Sequence, residues 1–393
     1  MPPRRLLFVL QSVAVGGMET QCAELVAQFV QLGLRVAVAL PVSRVFAGFG
    51  EQLVAVGAQV EWFQTDARSG RAAQVLGMLR MIRFMHAWRP DVVHVHTGGV
   101  TGGIAMLAAA RLGTDATVVL TEHDVPVADP GARLRLATAV KDRCLHALIA
   151  LSARNADLRR RRLGVPERKF VGIRPGVRVQ RTAPDGPLRL TIRAPFAIPQ
   201  SAAVIGCVVR LAAGKGLDDL VRAFALVVRD EPCDLLLVGD GPLRGSLEAL
   251  VRDLGLTERV HFAGYQSQPG NFLDAMDIFV LAAPVGSGSI ALLEAMARSI
   301  PAVISYCGPG EFLLANVTGL CAEARDHRSL AVALLRLVRD PGMRQVFGAA
   351  ALQRVRRDFR IENVALDLLE VYQTAQARAI PERLKASQLA GHG

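Results

Sequence analysis

The sequence is poor in several features that whole classes of protein require. It has three tyrosines and two tryptophans in 393 residues, and no stretch interleaves basic with aromatic residues as a nucleic-acid stacking platform does. Its longest weakly polar stretch, Gly102 to Ala110, falls well short of the roughly 20 residues that cross a bilayer. The apolar run from Leu6 to Leu10 is shorter than the roughly 7 to 15 residues of a signal-peptide core. We therefore expect no nucleic-acid partner and no membrane span.

Cysteine is scarce and scattered. The six cysteines have no C-x-x-C spacing, and most of them lie in apolar runs, at positions 22, 144, 207, 233, 307 and 321. This pattern is typical of small core residues in a reducing compartment, and it makes a zinc site a poor interpretation. We predict a cytoplasmic protein.

The chain has an excess of basic over acidic residues. It carries 46 Lys and Arg against 35 Asp and Glu, a formal net charge of +11 at pH 7, and such an excess favours anionic partners. Much of it lies in the first half of the chain, at Arg133, Arg135, Lys141, Arg143 and the run Arg159–Arg162. Two interpretations stay open: a solvated helix face, or a surface for peripheral contact with the inner face of an anionic membrane.

Hydrophobic periodicity divides the chain into two series of strands and helices. Short apolar runs between amphipathic stretches are typical of parallel strands that are buried on both faces. The chain also exceeds the roughly 250 to 300 residues at which a single core stops growing. We predict an α/β protein with two doubly wound parallel-sheet, Rossmann-like domains that face each other across a cleft. The expected strands are 6–10, 35–40, 91–96, 116–121 and 146–152, then 203–209, 234–239, 259–264, 277–282 and 301–305.

The domain boundaries follow from composition. A proline-rich stretch with little strand pattern, 177–201, separates the two series. We assign 1–180 to the N-terminal domain and 203–362 to the C-terminal domain. Residues 181–202 are then a linker with the helix that leads into the second domain. The remaining segment, 363–393, is predicted as a helix that packs back on the N-terminal domain, followed by a polar tail.

Loops that follow strands are the places where such folds bind ligands. Gly16 and Gly17 stand between the first strand and a helix, where backbone N–H groups can approach an anion, although a tight turn alone also requires glycine. In the second series Arg210 and Lys215 stand five positions apart between a strand and a helix. An arginine and a lysine so placed can neutralise a pyrophosphate. Two solvated cations are the alternative.

A glycine- and serine-rich loop leads into another helix of the second series. Its backbone amides and the helix N-terminus form a concavity that suits an anion. Glu294, one to two turns into the helix, can accept hydrogen bonds from two vicinal ribose hydroxyls. The loop residues are Gly286, Ser287, Gly288, Ser289 and Ile290.

Together these elements resemble the retaining glycosyltransferases of the GT-B fold, in particular family 4 (glycosyl transferases group 1). The resemblance covers most of the chain and is strongest between Val204 and Val303. It is carried by "VVRLAAGKG", "VGDGP" and "FAG" in the second series and by "VGGMET", "VVHVHT" and "TEHD" in the first. It implies that Arg210 and Lys215 bind the donor diphosphate, that Glu294 binds the ribose, and that His123 stands beside the donor sugar.

The resemblance also implies an activity. A hexose would pass, with retention, from a UDP- or GDP-linked sugar to a glycan or lipid-linked acceptor in polysaccharide biosynthesis. The first domain would take the acceptor and the second the donor, with His123, Arg210 and Lys215 as catalytic residues. No D-x-D pattern occurs in the sequence, which fits a transferase that stabilises the leaving diphosphate with cations and helix dipoles, without a metal or cofactor.

Departures from the family pattern leave other functions open. The family has an acid eight positions before Glu294, where this sequence has Gly286. Glycine there favours either a non-catalytic nucleotide-sugar-binding relative or an enzyme with altered sugar preference. A sugar-nucleotide epimerase of the same fold is a further alternative, but it needs acids around the sugar that this loop lacks.

Two histidines alternate along one predicted strand. Because side chains at i and i+2 of a strand face the same side, His94 and His96 lie together. A metal pair is one interpretation, but no third ligand stands nearby in the sequence. We therefore favour hydrogen bonding or packing for this pair.

Overall fold

A computed structural model describes residues 2–12, 15–63, 70–98, 102–123, 131–163, 166–179, 186–283, 289–305 and 311–390. The chain forms two compact units. Unit 1 comprises Met1–Gly176 and Ile361–Gly393, and unit 2 comprises Val177–Arg360. Among the described helices, none is both long and apolar enough to cross a membrane.

Unit 1 is built on a parallel sheet with helices between its strands. The described strands pair in the order β3-β2-β1-β4-β5-β6-β7. The strands are β1 Arg5–Gln11, β2 Arg35–Pro41, β3 Gln59–Phe63, β4 Val92–Thr97, β5 Thr117–Glu122, β6 Ala147–Ala150 and β7 Phe170–Gly172. The helices are α1 Gly17–Gln31, α2 Ala47–Ala55, α3 Gly70–Trp88, α4 Ile104–Gly113, α5 Ala132–Cys144 and α6 Ala153–Leu163, with α13 Ile361–Ala390 returning from the end of the chain.

Unit 2 repeats this plan. Its described strands are also parallel and pair in the order β10-β9-β8-β11-β12-β13. The strands are β8 Ala203–Val208, β9 Cys233–Val238, β10 Val260–Gly264, β11 Ile278–Leu281, β12 Ala302–Ile304 and β13 Gly319–Cys321. The helices are α7 Gly186–Arg193, α8 Leu217–Asp230, α9 Arg244–Asp253, α10 Ile290–Ala297, α11 His327–Arg339 and α12 Pro341–Asp358.

The central strands and amphipathic helices produce the cores. In α8, Leu217, Leu220, Val221, Phe224 and Val227 recur at helical spacing and are buried against the sheet, so the helix stabilises the fold through its packing face. The prediction of two doubly wound, Rossmann-like parallel sheets is confirmed.

The first helix ends one residue earlier than its apolar pattern indicates. The spacing of Leu25, Val26, Phe29 and Leu32 predicts one apolar helical face, with Gly33 ending the helix. Leu25, Val26 and Phe29 are buried as this pattern predicts. Leu32, which we also assigned to that face, follows the last helical residue and is 49% exposed. The expectation for Leu32 was therefore wrong, because the chain leaves the helix at Gln31 before Leu32 can reach the core.

The segment interpreted as a linker is held to unit 2 where the structure describes it, at 186–202. Arg193 is 1% exposed and donates to the carbonyl oxygens of Pro199, Gln200 and Ala202 and to Asp277. One guanidinium thus donates to several backbone carbonyls of the same turn. The described part of the segment is folded structure of unit 2 and begins at α7.

The last helix belongs to unit 1. Val364, Leu368 and Tyr372 recur every four residues and are buried in a core cluster that includes residues of β1, β2 and α1. A hydrophobic stripe with this spacing covers one face of a sheet. Unit 1 is therefore completed only by residues that come after the whole of unit 2 in the chain.

The cysteines fit the expected core role in part. Cys22, Cys207 and Cys233 are free and buried, and Cys144 is free and partly exposed. Cys321, in contrast, is disulfide-bonded, so the expectation that every cysteine is reduced was wrong for this residue. Cys307 lies outside the described residues.

Candidate functional site

Arg210 follows the central strand β8 in a loop whose backbone is fixed by neighbouring glycines. Gly239 has φ +132°, and a Cβ there would lie 2.0 Å from the carbonyl oxygen of Val209, a position that only glycine tolerates. The Leu211 N–H donates to the carbonyl of Asp240 at 3.0 Å. The "VGDGP" turn and the loop that contains Arg210 therefore pack backbone against backbone, and this contact fixes the position of the Arg210 backbone.

Lys215 is positioned in the same way at the start of α8. Gly216 is the N-cap with φ +66°, and a Cβ there would lie 2.1 Å from the carbonyl oxygen of Ala282, just after β11. Burial raises the pKa of Cys207, near the end of β8, to about 12, and the Lys215 ammonium opposes that shift. Lys215 is therefore close to the carboxyl end of β8.

Arg210 and Lys215 have no hydrogen-bond or ion-pair partner among the described residues of unit 2. Arg210 is exposed and Lys215 is partly buried. Within the part of the chain that the structure describes, neither side chain has a hydrogen bond or an ion pair. Other arginines of unit 2 do have partners; Arg298, for example, donates to Asp274 at 3.0 Å. Arg210 and Lys215 are thus free to bind an anion.

Glu294 lies in α10, one turn beyond the helix start. The Ser289 hydroxyl caps the helix by accepting from the Leu292 N–H at 3.4 Å, and the Ile290 side chain is buried in the core. Ile290 can therefore offer a ligand only its backbone. Glu294 is partly buried, and its carbonyl accepts from Arg298 at 3.2 Å. Gly286, Ser287 and Gly288 lie outside the described residues.

The glycine pair of unit 1 already has a carboxylate beside it. The Gly16 N–H donates to Oε2 of Glu19 at 2.8 Å, and Glu19 is 2% exposed. Burial raises the pKa of the Glu19 carboxyl against the hydrogen bonds that lower it. The first amide at the start of α1 is therefore capped by the protein itself, as in half of a capping box. Gly17 is the first residue of α1.

Three histidines of unit 1, His94, His96 and His123, lie in a hydrogen-bonded cluster. His94 contacts the Tyr372 hydroxyl through Nδ1 at 2.7 Å and the Thr121 hydroxyl through Nε2 at 2.8 Å. His96 Nδ1 lies 3.2 Å from Nε2 of His123. Among the described residues, no group of three or more His, Cys, Asp or Glu could hold a metal ion. The cluster is therefore a polar network inside unit 1.

Burial keeps these imidazoles neutral at physiological pH. Desolvation lowers the pKa of His94 to about 3 and that of His123 to about 4. The pKa of His96 is lowered well below its usual value, first by desolvation and then by its neighbours His94 and His123. At pH 7 each ring therefore has one N–H donor and one bare nitrogen acceptor.

A buried ion triad lies directly beside His123. Glu122, the last residue of β5, pairs with Lys141 at 2.9 Å and with Arg159. All three side chains are at most 2% exposed. Desolvation lowers the pKa of Lys141 to about 8 and that of Arg159 to about 10. Two cations that we had assigned to the surface are thus buried against one carboxylate.

The basic surface is therefore smaller than the sequence indicated. The expectations for Lys141 and Arg159 were wrong, because both are buried against Glu122. Arg160 and Arg161 are exposed but pair with Asp157 on the same helix. The side chains of Arg133 and Arg162 lie outside the described set. Arg135 and Arg143 remain as exposed cations of α5.

Sequence reasoning missed the partners of the histidines. Tyr372 is separated from His94 by 278 positions, and Thr121 reads as an ordinary strand residue. The available signal was a tyrosine in a helical stripe whose preceding members, Val364 and Leu368, are apolar. A hydroxyl at such a position needs a buried partner.

Comparison with known proteins assigns the chain to a family. A model described as Glycosyltransferase Family 4 matches residues 15–181, and one described as Glycosyl transferases group 1 matches residues 189–354. The chain belongs to the glycosyltransferases that these two models describe.

The chain is similar to relatives of several named specificities. It is 31% identical over 211 residues, 51% of this chain and 55% of the relative, to the GDP-mannose-dependent monoacylated alpha-(1-6)-phosphatidylinositol monomannoside mannosyltransferase of Corynebacterium glutamicum. It is 29% identical over 413 residues, 94% of this chain and 92% of the relative, to the D-inositol 3-phosphate glycosyltransferase of Kineococcus radiotolerans. The chain spans about half the length of the first curated relatives that it matches.

Solved structures show the same fold. The Anabaena protein HepE, determined in complex with UDP and glucose, superposes with a TM-score of 0.82 at 19% identity, over 94% of this chain and 100% of HepE. At this level of identity the likeness establishes the fold.

Proposed function

We propose that this protein is a nucleotide-sugar-dependent glycosyltransferase that transfers a hexose to a glycan or lipid-linked acceptor. The observation that carries the proposal is the pair Arg210 and Lys215. Two cations stand at the carboxyl edge of one sheet, on loops fixed by Gly239 and Gly216, with no ion-pair partner among the described residues. Exposed, uncompensated and positioned cations are what a diphosphate requires. The GDP-mannose-dependent relative and the UDP complex of HepE support this assignment.

The proposed chemistry is stabilisation of the leaving group. Arg210 would bind the diphosphate through two parallel N–H donors and Lys215 as a point charge. Glu294 would accept hydrogen bonds from the ribose. As negative charge develops on the departing diphosphate, these groups lower the barrier, so no protein nucleophile and no metal ion are needed. His123 of unit 1 is assigned to the reacting sugar. Retention at the anomeric carbon belongs to the same proposal.

A panel of UDP-, GDP- and ADP-sugars tests this proposal. A donor at a hundredfold excess over its dissociation constant stabilises the fold by roughly 2.7 kcal/mol, so thermal shifts identify the base and sugar. Product NMR then reports the anomeric configuration, and EDTA tests metal dependence. Binding and EDTA-resistant transfer with retention are expected. No stabilisation by any donor would overturn the proposal, and inversion or loss of activity in EDTA would overturn its finer parts.

A non-catalytic nucleotide-sugar-binding protein is the second candidate. The observation that favours it is Gly286, where the family resemblance places an acid. We favour an active enzyme, in which the two serine hydroxyls of the loop bind the sugar without added charge. Turnover of wild type and Gly286→Glu should be measured across the donor panel. Transfer by wild type with a changed preference in the variant supports the enzyme, whereas a silent wild type and an active variant establish the binder.

Peripheral membrane contact is proposed for the exposed face of α5. Arg135, Leu136, Val140 and Arg143 share one side of this helix, and Leu136 is 67% exposed. Cations with exposed apolar side chains between them suit an anionic lipid surface. An acceptor that is linked to lipid would be reached from such a surface.

A further inference from the structure

The histidine cluster of unit 1 borders a small void that is lined by unsatisfied polar atoms. Among the residues that line it are Gln21, His94, His96 and Thr121. The Oε1 of Gln21 and the Nε2 of His96 are buried and have no hydrogen-bond partner in the structure as described. Gln21 is 4% exposed and His96 2%, and a buried polar atom that is left unpaired is destabilising.

The void has room for one water molecule. The space open to the centre of a water-sized sphere is about 10 Å³, and one water needs roughly 10 to 15 Å³ by this measure. A buried water typically makes about three hydrogen bonds. Gln21, His96 and Thr121 offer that number of polar partners around the same space.

We propose that one water molecule occupies this void and completes a hydrogen-bond chain from Tyr372 to His123. The chain runs from the Tyr372 hydroxyl to His94, from His94 to Thr121, through the water to His96, and from His96 to His123. Its measured links are 2.7, 2.8 and 3.2 Å long. The water supplies the remaining link and also donates to Gln21.

The chain has two concerted arrangements of its protons. In one, Tyr372 donates to His94, each following group donates to the next, and His96 donates to Nε2 of His123. In the other, every hydrogen bond is reversed and His123 donates to His96. Because neutral imidazole has one donor and one acceptor, each ring must follow its neighbour.

The Tyr372 end of the hydrogen-bond chain favours the first arrangement of protons. Tyr372 is fully buried, and its hydroxyl has His94 as its one partner among the described residues. If His94 donated to Tyr372, the phenolic proton would be buried without an acceptor, which is unfavourable. Tyr372 is therefore the donor, and the ring proton of His123 lies on Nδ1.

This arrangement makes Tyr372, Gln21 and His96 positioning residues for His123. The Nδ1–H of His123 can donate a hydrogen bond to a ligand but cannot accept a proton there. That consequence rests on the proposed function, in which His123 contacts the sugar and would act as a donor and not as a base. The hydrogen-bond chain itself does not rest on it.

Ring-nitrogen NMR of protein labelled with ¹⁵N-histidine tests the chain at pH 7, where the three buried rings are neutral. We expect one tautomer for each ring: protonated Nε2 in His94, protonated Nδ1 in His96 and protonated Nδ1 in His123. Tyr372→Phe removes the donor at the far end, so all three rings should show mixed tautomers. Gln21→Met fills the void and displaces the water, so His94 should stay unchanged while His96 and His123 become mixed.

Phe46→Leu is the matched control, because Phe46 is fully buried in the same core cluster and contacts no member of the chain among its ring contacts. The histidine ring-nitrogen resonances of the Phe46→Leu protein should match those of wild type. A proton on Nε2 of His123 in wild type, or unchanged His96 and His123 resonances in Gln21→Met, would overturn the proposal. If wild type shows the expected histidine tautomers but transfers no sugar from any donor, the proposed function alone would fail.

Discussion

The two units treat charge differently at the carboxyl ends of their strands. In unit 2, Arg210 and Lys215 stand on glycine-fixed loops and, among the described residues, have no partner of opposite charge. In unit 1, Glu122 ends its strand between Lys141 and Arg159, and all three are buried. The same fold thus leaves two cations without an acidic partner among the described residues of one unit and encloses two cations in the other.

This difference shows that the position of a cation in the sequence does not tell whether a ligand can reach it. Buried cations must be compensated from within, because an unpaired buried charge is strongly destabilising. Exposed cations need no compensation, and their charge remains available for binding. We therefore expect substitutions at this edge of unit 1 to lower the free energy of unfolding. Substitutions at the corresponding edge of unit 2 should instead weaken the binding of the donor.

The largest effect is expected for Glu122→Gln. It leaves Lys141 and Arg159 buried without their carboxylate, which should lower the free energy of unfolding by roughly 3 to 5 kcal/mol. Both tryptophans, Trp62 and Trp88, lie in unit 1, so urea unfolding followed by tryptophan fluorescence reports on this unit.

Asp157→Asn is the control for Glu122→Gln, since Asp157 pairs with two arginines at the surface and surface pairs contribute little. Equal stability of Glu122→Gln and wild type would show that the triad is not a compensated buried cluster, and the contrast between the two edges would fail.

Acidification should destabilise unit 1 through its histidines. In the unfolded chain these rings bind protons below pH about 6.5, whereas burial delays protonation to about pH 4 for His123 and about pH 3 for His94. The unfolded state therefore binds more protons in that window, and the free energy of unfolding falls as the pH falls. Urea midpoints by tryptophan fluorescence at pH 7, 5.5 and 4 measure the effect. His94→Gln should show a shallower pH dependence, and an unchanged slope would exclude His94 as a source.

Lys215→Ala is the corresponding test in unit 2. It removes one charged hydrogen bond to the proposed diphosphate, so donor binding should weaken by roughly 1.5 to 3 kcal/mol, while the unfolding free energy stays near that of wild type. Titration calorimetry with the best donor measures the first quantity, and urea unfolding followed by far-UV circular dichroism measures the second. Arg222→Ala, an exposed cation on α8, is the control. Equal donor affinity in Lys215→Ala and Arg222→Ala would contradict the proposed diphosphate site.

Glu294 should show a smaller, graded effect. An amide keeps one acceptor for a ribose hydroxyl, so Glu294→Gln should bind the donor better than Glu294→Ala by about 1 kcal/mol, the value of one hydrogen bond. Donor titrations of both variants give the comparison. If the two variants lose affinity equally, Glu294 acts through the stability of α10 instead.

The smallest effect is expected at the exposed face of α5. Each cation near an anionic bilayer contributes about 1 kcal/mol and is screened by salt, so Arg135→Gln combined with Arg143→Gln should weaken flotation with anionic liposomes at low salt. Arg160→Gln is a control, because Arg160 is already paired with Asp157. Failure of wild type to bind anionic liposomes would remove membrane contact from the proposal.

Central strands were predictable, whereas most edge strands were not. The apolar runs located β1, β2, β4 and β5 to within two residues, and they also located the central strands of unit 2. The missed strands β3, β7 and β13 all lie at the edges of their sheets. An edge strand is covered less completely, so it carries fewer apolar residues. In β3, for example, Gln59 and Trp62 are exposed.

Some residues of the candidate site could also be assigned from the sequence. Arg210, Lys215 and Glu294 were assigned from loop and helix patterns, and the structure places them in those loops and that helix. Gly16 was assigned as an anion-binding amide, yet its N–H is occupied by Glu19 three residues later. That capping contact is itself a local pattern, which the sequence contains and which we did not use.

The sequence by itself determined the two parallel-sheet units and their central strands, because these depend on hydrophobic periodicity. It also placed Arg210 and Lys215 in a loop between a strand and a helix, but the backbone contacts that fix this loop join it to distant segments. Only the tertiary structure decided which charges are buried and which hydroxyls complete the histidine network. Glu122 meets Arg159, and His94 meets Tyr372, across separations of 37 and 278 positions along the chain. Such pairings depend on how strands and helices are stacked, and no local pattern records a contact that forms only when distant segments pack together.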